Sequence, residues 1–116
     1  MVAESLDALK SEFFRSLAHP ARIRILELLV AGDRSVTELL PRVGVEASNL
    51  SQQLGVLRRA GIVSARRHGN SVTYSIASPH IAELLAVART MLSGLLNDQV
   101  DVLEGLQAGA VADRRS

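Results

Sequence analysis

The chain has 116 residues, 47% of them apolar and 22% charged, with a net charge of +1 and no cysteine. That length fits one domain of globular composition; it excludes a disordered tail, a disulfide scaffold and thiolate ligation of a soft metal. No apolar run approaches the roughly 20 residues of a membrane span, and the polar, acidic start Met1-Val2-Ala3-Glu4-Ser5 lacks a signal peptide's basic n-region. A cytoplasmic protein without a membrane partner is expected.

Aromatic residues make up only 3% of the chain, so the core is built from Leu, Val, Ile and Ala, which favours packed helices over a β-sandwich. Leu6, Leu9, Phe13 and Leu17 recur at helical spacing and predict a first amphipathic helix over residues 5–18. His19-Pro20 interrupts it. Pro20 suits the first position of a second helix, where its missing N–H costs nothing. Ile23, Leu26, Leu29 and Val30 line one face of that helix, and Gly32-Asp33 ends it. Ser35-Val36-Thr37-Glu38 forms a capping box for a short third helix. Pro41 conflicts with that helix, which is expected to tighten or end there. Val43-Gly44-Val45 makes a tight turn, with Gly44 available for positive φ. A fourth helix runs from Glu46 to Ala60 with Leu50, Leu54 and Leu57 inward, and Gly61 is its stop.

The period then changes. Ile62 to Arg67 and Ser71 to Ile76 are β-branched and alternating, and they flank His68-Gly69-Asn70, a hairpin turn. Ser78-Pro79 opens a long last helix, with a stripe through Ile81, Leu84, Leu85, Ala88, Met91, Leu92, Leu95, Leu96, Gln99, Val102, Leu103 and Leu106. Residues 108–116 are expected to be a flexible tail. The expected fold is mainly α with a small β-hairpin, in the order α-α-α-α-β-β-α, as a single domain over residues 1–107. A short helix, a glycine turn and a second helix over residues 35–60, followed at once by a hairpin over 62–76, is the order of a winged helix-turn-helix.

Charge is unevenly spread. Residues 34–76 carry six arginines against Glu38 and Glu46, while both flanks are net acidic. Solvated surface is the ordinary fate of such charge; the sharper reading is an anionic partner for the middle third. The fourth helix holds the core with its leucines and offers Ser48, Asn49, Ser51, Gln52 and Gln53 on its other face. Amides pair with base edges in the major groove, and hydroxyls bond bases or phosphates. A helix face that meets only water is usually rich in Glu and Lys, which favour helix more strongly. Arg58 and Arg59 lie at the end of this helix, and Arg66, Arg67 and His68 lie at the wing's end. Neighbouring strand residues point to opposite faces, so at most one of Arg66 and Arg67 reaches a minor groove from an ideal strand. His68 is read as a turn residue. Together these side chains are candidate contacts to double-stranded DNA.

The stretches Leu17-Ala18-His19-Pro20-Ala21-Arg22-Ile23-Arg24-Ile25-Leu26, Ser48-Asn49-Leu50-Ser51-Gln52-Gln53-Leu54 and Leu57-Arg58-Arg59-Ala60-Gly61-Ile62-Val63 precede a wing ending Tyr74-Ser75-Ile76. This combination resembles the arsenical-repressor (ArsR) family of bacterial winged-helix regulators, over residues 10–90. The resemblance implies homodimers, repression by occupying a promoter, and release on sensing a signal. It also implies a dimer interface from the first and last helices, residues 5–18 and 79–106. Leu6, Leu9 and Phe13 would contribute from the first, and Leu84, Met91, Leu92, Leu95, Leu96, Val102 and Leu103 from the last. The stripe on the last helix points the same way, because it exceeds what a small winged core can cover.

Many relatives bind metal through cysteines in the helix-turn-helix or through histidine and aspartate on the last helix. This chain has no cysteine, and the spacing of His80, Glu83, Asp98 and Asp101 does not reproduce the last-helix pattern. Gln53 stands where many members have histidine. His80 and Glu83 are two ligands where a metal wants four or more, and His19, ahead of Pro20, reads as a cap. No metal and no cofactor is expected. No paired-carboxylate motif, glycine-rich phosphate loop or nucleophile elbow is present, so an enzyme is not expected. The alternative to a DNA-binding repressor is a winged helix used for protein–protein contact.

Overall fold

The computed structural model describes residues 5–115, with side chains through residue 108. Its elements are α1 (Leu6–Leu17), α2 (Pro20–Val30), β1 (Arg34–Ser35), α3 (Val36–Val43), α4 (Ala47–Arg59), β2 (Val63–His68), β3 (Ser71–Ile76) and α5 (Pro79–Arg115). Local chemistry sets most of the boundaries. Ser5 Oγ accepts from the Ala8 N–H at 3.1 Å and caps α1. His19 Nδ1 accepts from the Ala21 N–H at 3.0 Å, so this histidine caps α2, with Pro20 at its first position. Ser35 Oγ accepts from the Glu38 N–H at 3.2 Å while Glu38 Oε1 accepts from the Ser35 N–H at 3.1 Å, which completes the capping box of α3. Gly44 ends α3 at φ +75° and Gly61 follows α4 at φ +74°, a region that residues with a Cβ rarely enter.

The chain divides after Ala82 into two compact units. The core of the first is aliphatic: Ile25, Leu26, Leu39, Leu50, Leu54 and Leu57 are almost fully excluded from water, with Leu17, Ala21, Leu28, Leu29, Ile62, Val63 and Ile81 around them. Burying each leucine, isoleucine or valine among them stabilises by about 1.5–3 kcal/mol before entropy is counted. The inward face of α2 is Ala21, Ile25, Leu26, Leu28 and Leu29; Ile23 is half-buried, and Val30, expected on that face, is 44% exposed. Positions three and four apart share a helix face, so α2 carries two overlapping apolar stripes, and packing chooses the one through Ile25.

The sheet has three antiparallel strands in the order β1-β3-β2, one more than the expected hairpin. β2 and β3 pair from Val63↔Ile76 to His68↔Ser71, and β1 adds Arg34↔Tyr74 and Ser35↔Thr73. A two-residue strand shows no alternation in sequence. It arises because Ser35, as N-cap of α3, is already extended at φ −77°, ψ 163°. α3 also continues through Pro41 to Val43. The bond that Pro41 cannot donate would have gone to the carbonyl of Thr37, and both residues are exposed, so water can take that carbonyl.

The second unit is the remainder of α5, from Glu83. Leu84 is half-buried and Leu85 buried, and every residue from Ala86 to Ala108 is exposed. The helix does not stop near Leu106. It reaches Arg115, so the backbone of residues 108–115 is helical, against the expected tail; Ser116 lies outside the described residues. Ala108, Ala110 and Ala112 have the highest helix propensity of any residue, which sustains the helix past the apolar stripe. At 1.5 Å per residue the 37 residues of α5 extend about 55 Å.

Candidate nucleic-acid interface

α3, the left-handed Gly44 and α4 form the helix-turn-helix, and α4 is the second of its helices. Leu50, Leu54 and Leu57 anchor α4 at 1% exposure or less. The opposite side carries Ser48, Ser51 and Gln52, all exposed, with Arg58 and Arg59 exposed at its end. Asn49 flanks this face and is half-exposed.

Gln53 is not on it. This side chain is 6% exposed and is the one buried polar residue among those described. Its Oε1 accepts from Arg22 Nε at 2.7 Å, and its Nε2 donates to Asn49 Oδ1 at 2.9 Å. Both ends of the amide are therefore taken within the chain, and the expectation that Gln53 itself contacts a base is corrected. Residues 49 and 53 are one helical turn apart, so an inward Gln53 draws Asn49 toward the flank. The signal for this lies in helical spacing, since Gln53 stands three residues after Leu50 and four before Leu57, beside the buried face; Arg22, which the sequence alone gives no role, is its partner there.

Arg22 also donates from one terminal nitrogen to the carbonyls of Arg15 at 3.3 Å and Ser16 at 3.2 Å, at the end of α1. Two of the six arginines of the middle third also bond backbone carbonyls of the chain, Arg34 half-buried and Arg42 exposed. Arg34 donates to the Leu28 carbonyl at 3.2 Å and Arg42 to the Glu38 carbonyl at 3.0 Å. The other four, Arg58 and Arg59 on α4 and Arg66 and Arg67 on β2, are exposed as well.

On the wing the two arginines part as the pleat requires. Arg67 lines one concavity with Ala65, Val72 and Arg58 of α4, which brings the helix-end and wing cations together. Arg66 lies on the other face, where its Nε donates to His68 Nε2 at 3.0 Å. His68 is the last residue of β2, paired with Ser71, rather than the tip of the turn; Gly69 and Asn70 make the turn, with Gly69 at φ +60°. Gly55 lies one turn past Ser51, and a Cβ there would approach Arg59 Nη1 to 3.1 Å. The Arg59 guanidinium thus lies back along α4 beside the polar face.

Among the described residues no group of three or more His, Asp or Glu is placed to hold a metal ion. His80 is exposed, and its N–H donates to Ser78 Oγ at 3.3 Å. No helix among them is long and apolar enough to cross a membrane. The predicted interface residues Leu6, Leu9, Met91, Leu92, Leu95, Leu96, Val102 and Leu103 are each 48–64% exposed, as is Phe14, which lies off the predicted stripe; Phe13 and Leu84 are half-buried.

A helix-turn-helix followed by a short antiparallel wing, with hydroxyls and an amide on the second helix and arginines at its end, defines a winged helix-turn-helix protein. Residues 17–65 match the family described as a helix-turn-helix domain. The chain is 68% identical over 113 residues to the HTH-type transcriptional regulator Rv0081 of Mycobacterium tuberculosis, covering 97% of this chain and 99% of the relative. The crystal structure of M. tuberculosis Rv0081 superposes with a TM-score of 0.78 at 70% identity, over 84% of this chain and 99% of that one. The solution structure of the homodimeric winged helix-turn-helix DNA-binding domain Mb0332 of Mycobacterium bovis, a possible ArsR-family regulator, gives 0.73 at 29% identity, over 84% of this chain and 95% of that one. The chain belongs to the ArsR family of helix-turn-helix transcriptional regulators.

Proposed function

We propose that this protein is a cytoplasmic, homodimeric repressor, not an enzyme, which binds an inverted-repeat operator in double-stranded DNA. The observation that carries the reading is the exposed row Ser48, Ser51 and Gln52 on α4, with Arg58 and Arg67 converging beside it. α4 enters the major groove, where Gln52 and Asn49 meet base edges and the serines meet bases or phosphates. Arg58, Arg59 and Arg67 neutralise phosphates, and the wing follows the backbone toward the minor groove. Two copies join through the apolar faces of α1 and α5; a dimer as such is supported by the homodimeric relative Mb0332, and the choice of helices by their exposed apolar side chains. The two-fold axis sets the paired helices about 34 Å apart, one turn of DNA. Occupying a promoter in this way excludes polymerase.

Binding to single-base operator variants tests the division of labour. Gln52→Ala loses about 1–3 kcal/mol at one base pair per half-site, whereas Arg67→Ala weakens every duplex to a similar degree and flattens the salt dependence. Even loss by Gln52→Ala on all sequences, random DNA included, would remove α4 as the reading element.

A further inference from the structure

We propose that Arg22, behind the reading helix, fixes the hydrogen-bond polarity of Asn49, so that Asn49 offers DNA a donor and selects a base that presents an acceptor. The inference rests on the reading of α4 as the major-groove helix and deepens it. The two ends of an amide are alike in shape and differ in what they exchange, so only their partners fix which way they point. Arginine has no acceptor. Its Nε, 2.7 Å from Gln53, therefore obliges Gln53 to present Oε1. That turns Gln53 Nε2, which can only donate, toward Asn49, 2.9 Å away. Asn49 answers with Oδ1, and its Nδ2 is turned the other way.

The order cannot reverse at any link while Arg22 stays in place, and Arg22 is clamped. Its terminal nitrogen donates to the carbonyls of Arg15 and Ser16, at 3.3 and 3.2 Å. Gln53, at 6% exposure, has no water to turn to instead. A free asparagine offers both ends and pairs with adenine through N6 and N7 together. One whose oxygen is committed to Gln53 brings two N–H groups. These match guanine O6 and N7 or thymine O4, and they meet cytosine N4 donor against donor. A residue outside the groove thus sets what a residue inside it can read.

Gln53→Glu reverses the chain. A carboxylate still accepts from Arg22 and cannot donate, so Asn49 turns Nδ2 toward it and presents Oδ1 outward. The full-length wild type, Gln53→Glu, Gln53→Met and Asn49→Ala are compared by selecting bound duplexes from a library randomised across the half-site. In the wild type, one position per half-site loses its preference in Asn49→Ala, and the base met there is guanine over cytosine by about tenfold. Gln53→Glu shifts that position toward cytosine, and Gln53→Met, which frees Asn49 to offer both ends, shifts it toward adenine. Wild-type preference retained at that position by Gln53→Glu, or by Gln53→Met should the charged variant fail to fold, overturns the proposal. So does an Asn49→Ala selection identical to the wild type. A wild-type chain that enriches no sequence at all strikes the functional reading itself, an outcome distinct from these.

Discussion

Arg22 Nε on α2 and Gln53 Oε1 on α4 lie 2.7 Å apart although 31 residues separate them in sequence. The bond joins the reading helix to α2 and, through the Arg15 and Ser16 carbonyls, to the end of α1. Removing the guanidinium strands a buried amide oxygen. Arg22→Met is expected to lower unfolding stability by about 1–3 kcal/mol in urea titration. Arg22→Lys, a donor without the fork, should fall between. A variant as stable as wild type would show that the bond contributes nothing net.

Glu38 offers a pH signature. The Ser35 backbone N–H, then the Ser35 hydroxyl, hold its carboxyl below the ordinary glutamate value. A lowered folded pKa contributes stability that is present above the unfolded value and is lost as pH falls through the folded one. The melting temperature of Glu38→Gln should therefore lie below that of wild type near neutrality, and the gap should close in acid. A gap independent of pH would assign the effect to side-chain shape alone.

Gly55 sits inside α4 with ordinary helical φ, and the only close neighbour of an added Cβ is the movable end of Arg59. Gly55→Ala should stabilise by about 0.5–1 kcal/mol, raising the melting point by a few degrees. A lower melting point would mean that the Arg59 placement is rigid.

Most of the first unit is legible in the sequence because its signals are local. Ser35 with Glu38, Pro20, Gly44, Gly61 and the leucines of α4 each specify a boundary or face from a few neighbouring residues. What the sequence conceals depends on distant partners. Arg34-Ser35, already extended at the N-cap of α3, becomes a strand because Tyr74 and Thr73 lie beside it. Gln53 has the same chemistry as Gln52, but it stands three residues after Leu50 and four before Leu57, beside the buried face, and Arg22 holds it there. Sequence alone therefore places an exposed polar face on α4 and draws it one residue too wide.

The dimer is tested on α5. Leu95 and Leu96 are 56% and 60% exposed in one chain, and a row of such residues is an aggregation liability without a partner. Sedimentation at micromolar concentration should give twice the chain mass, and Leu95→Glu should give the monomer. A monomeric wild type would remove the two-fold operator from the account.

The central claim is that this protein recognises duplex sequence rather than merely phosphate. The direct measurement is the ratio of its affinities for a duplex from its own upstream region and a scrambled duplex of equal length, taken across a salt series. A dimer placing Arg58, Arg59 and Arg67 on phosphates neutralises about six charges, for a log–log salt slope near about −5. The account predicts that slope together with a ratio of at least about 10³ at physiological salt. Equal affinity for the two duplexes would contradict it.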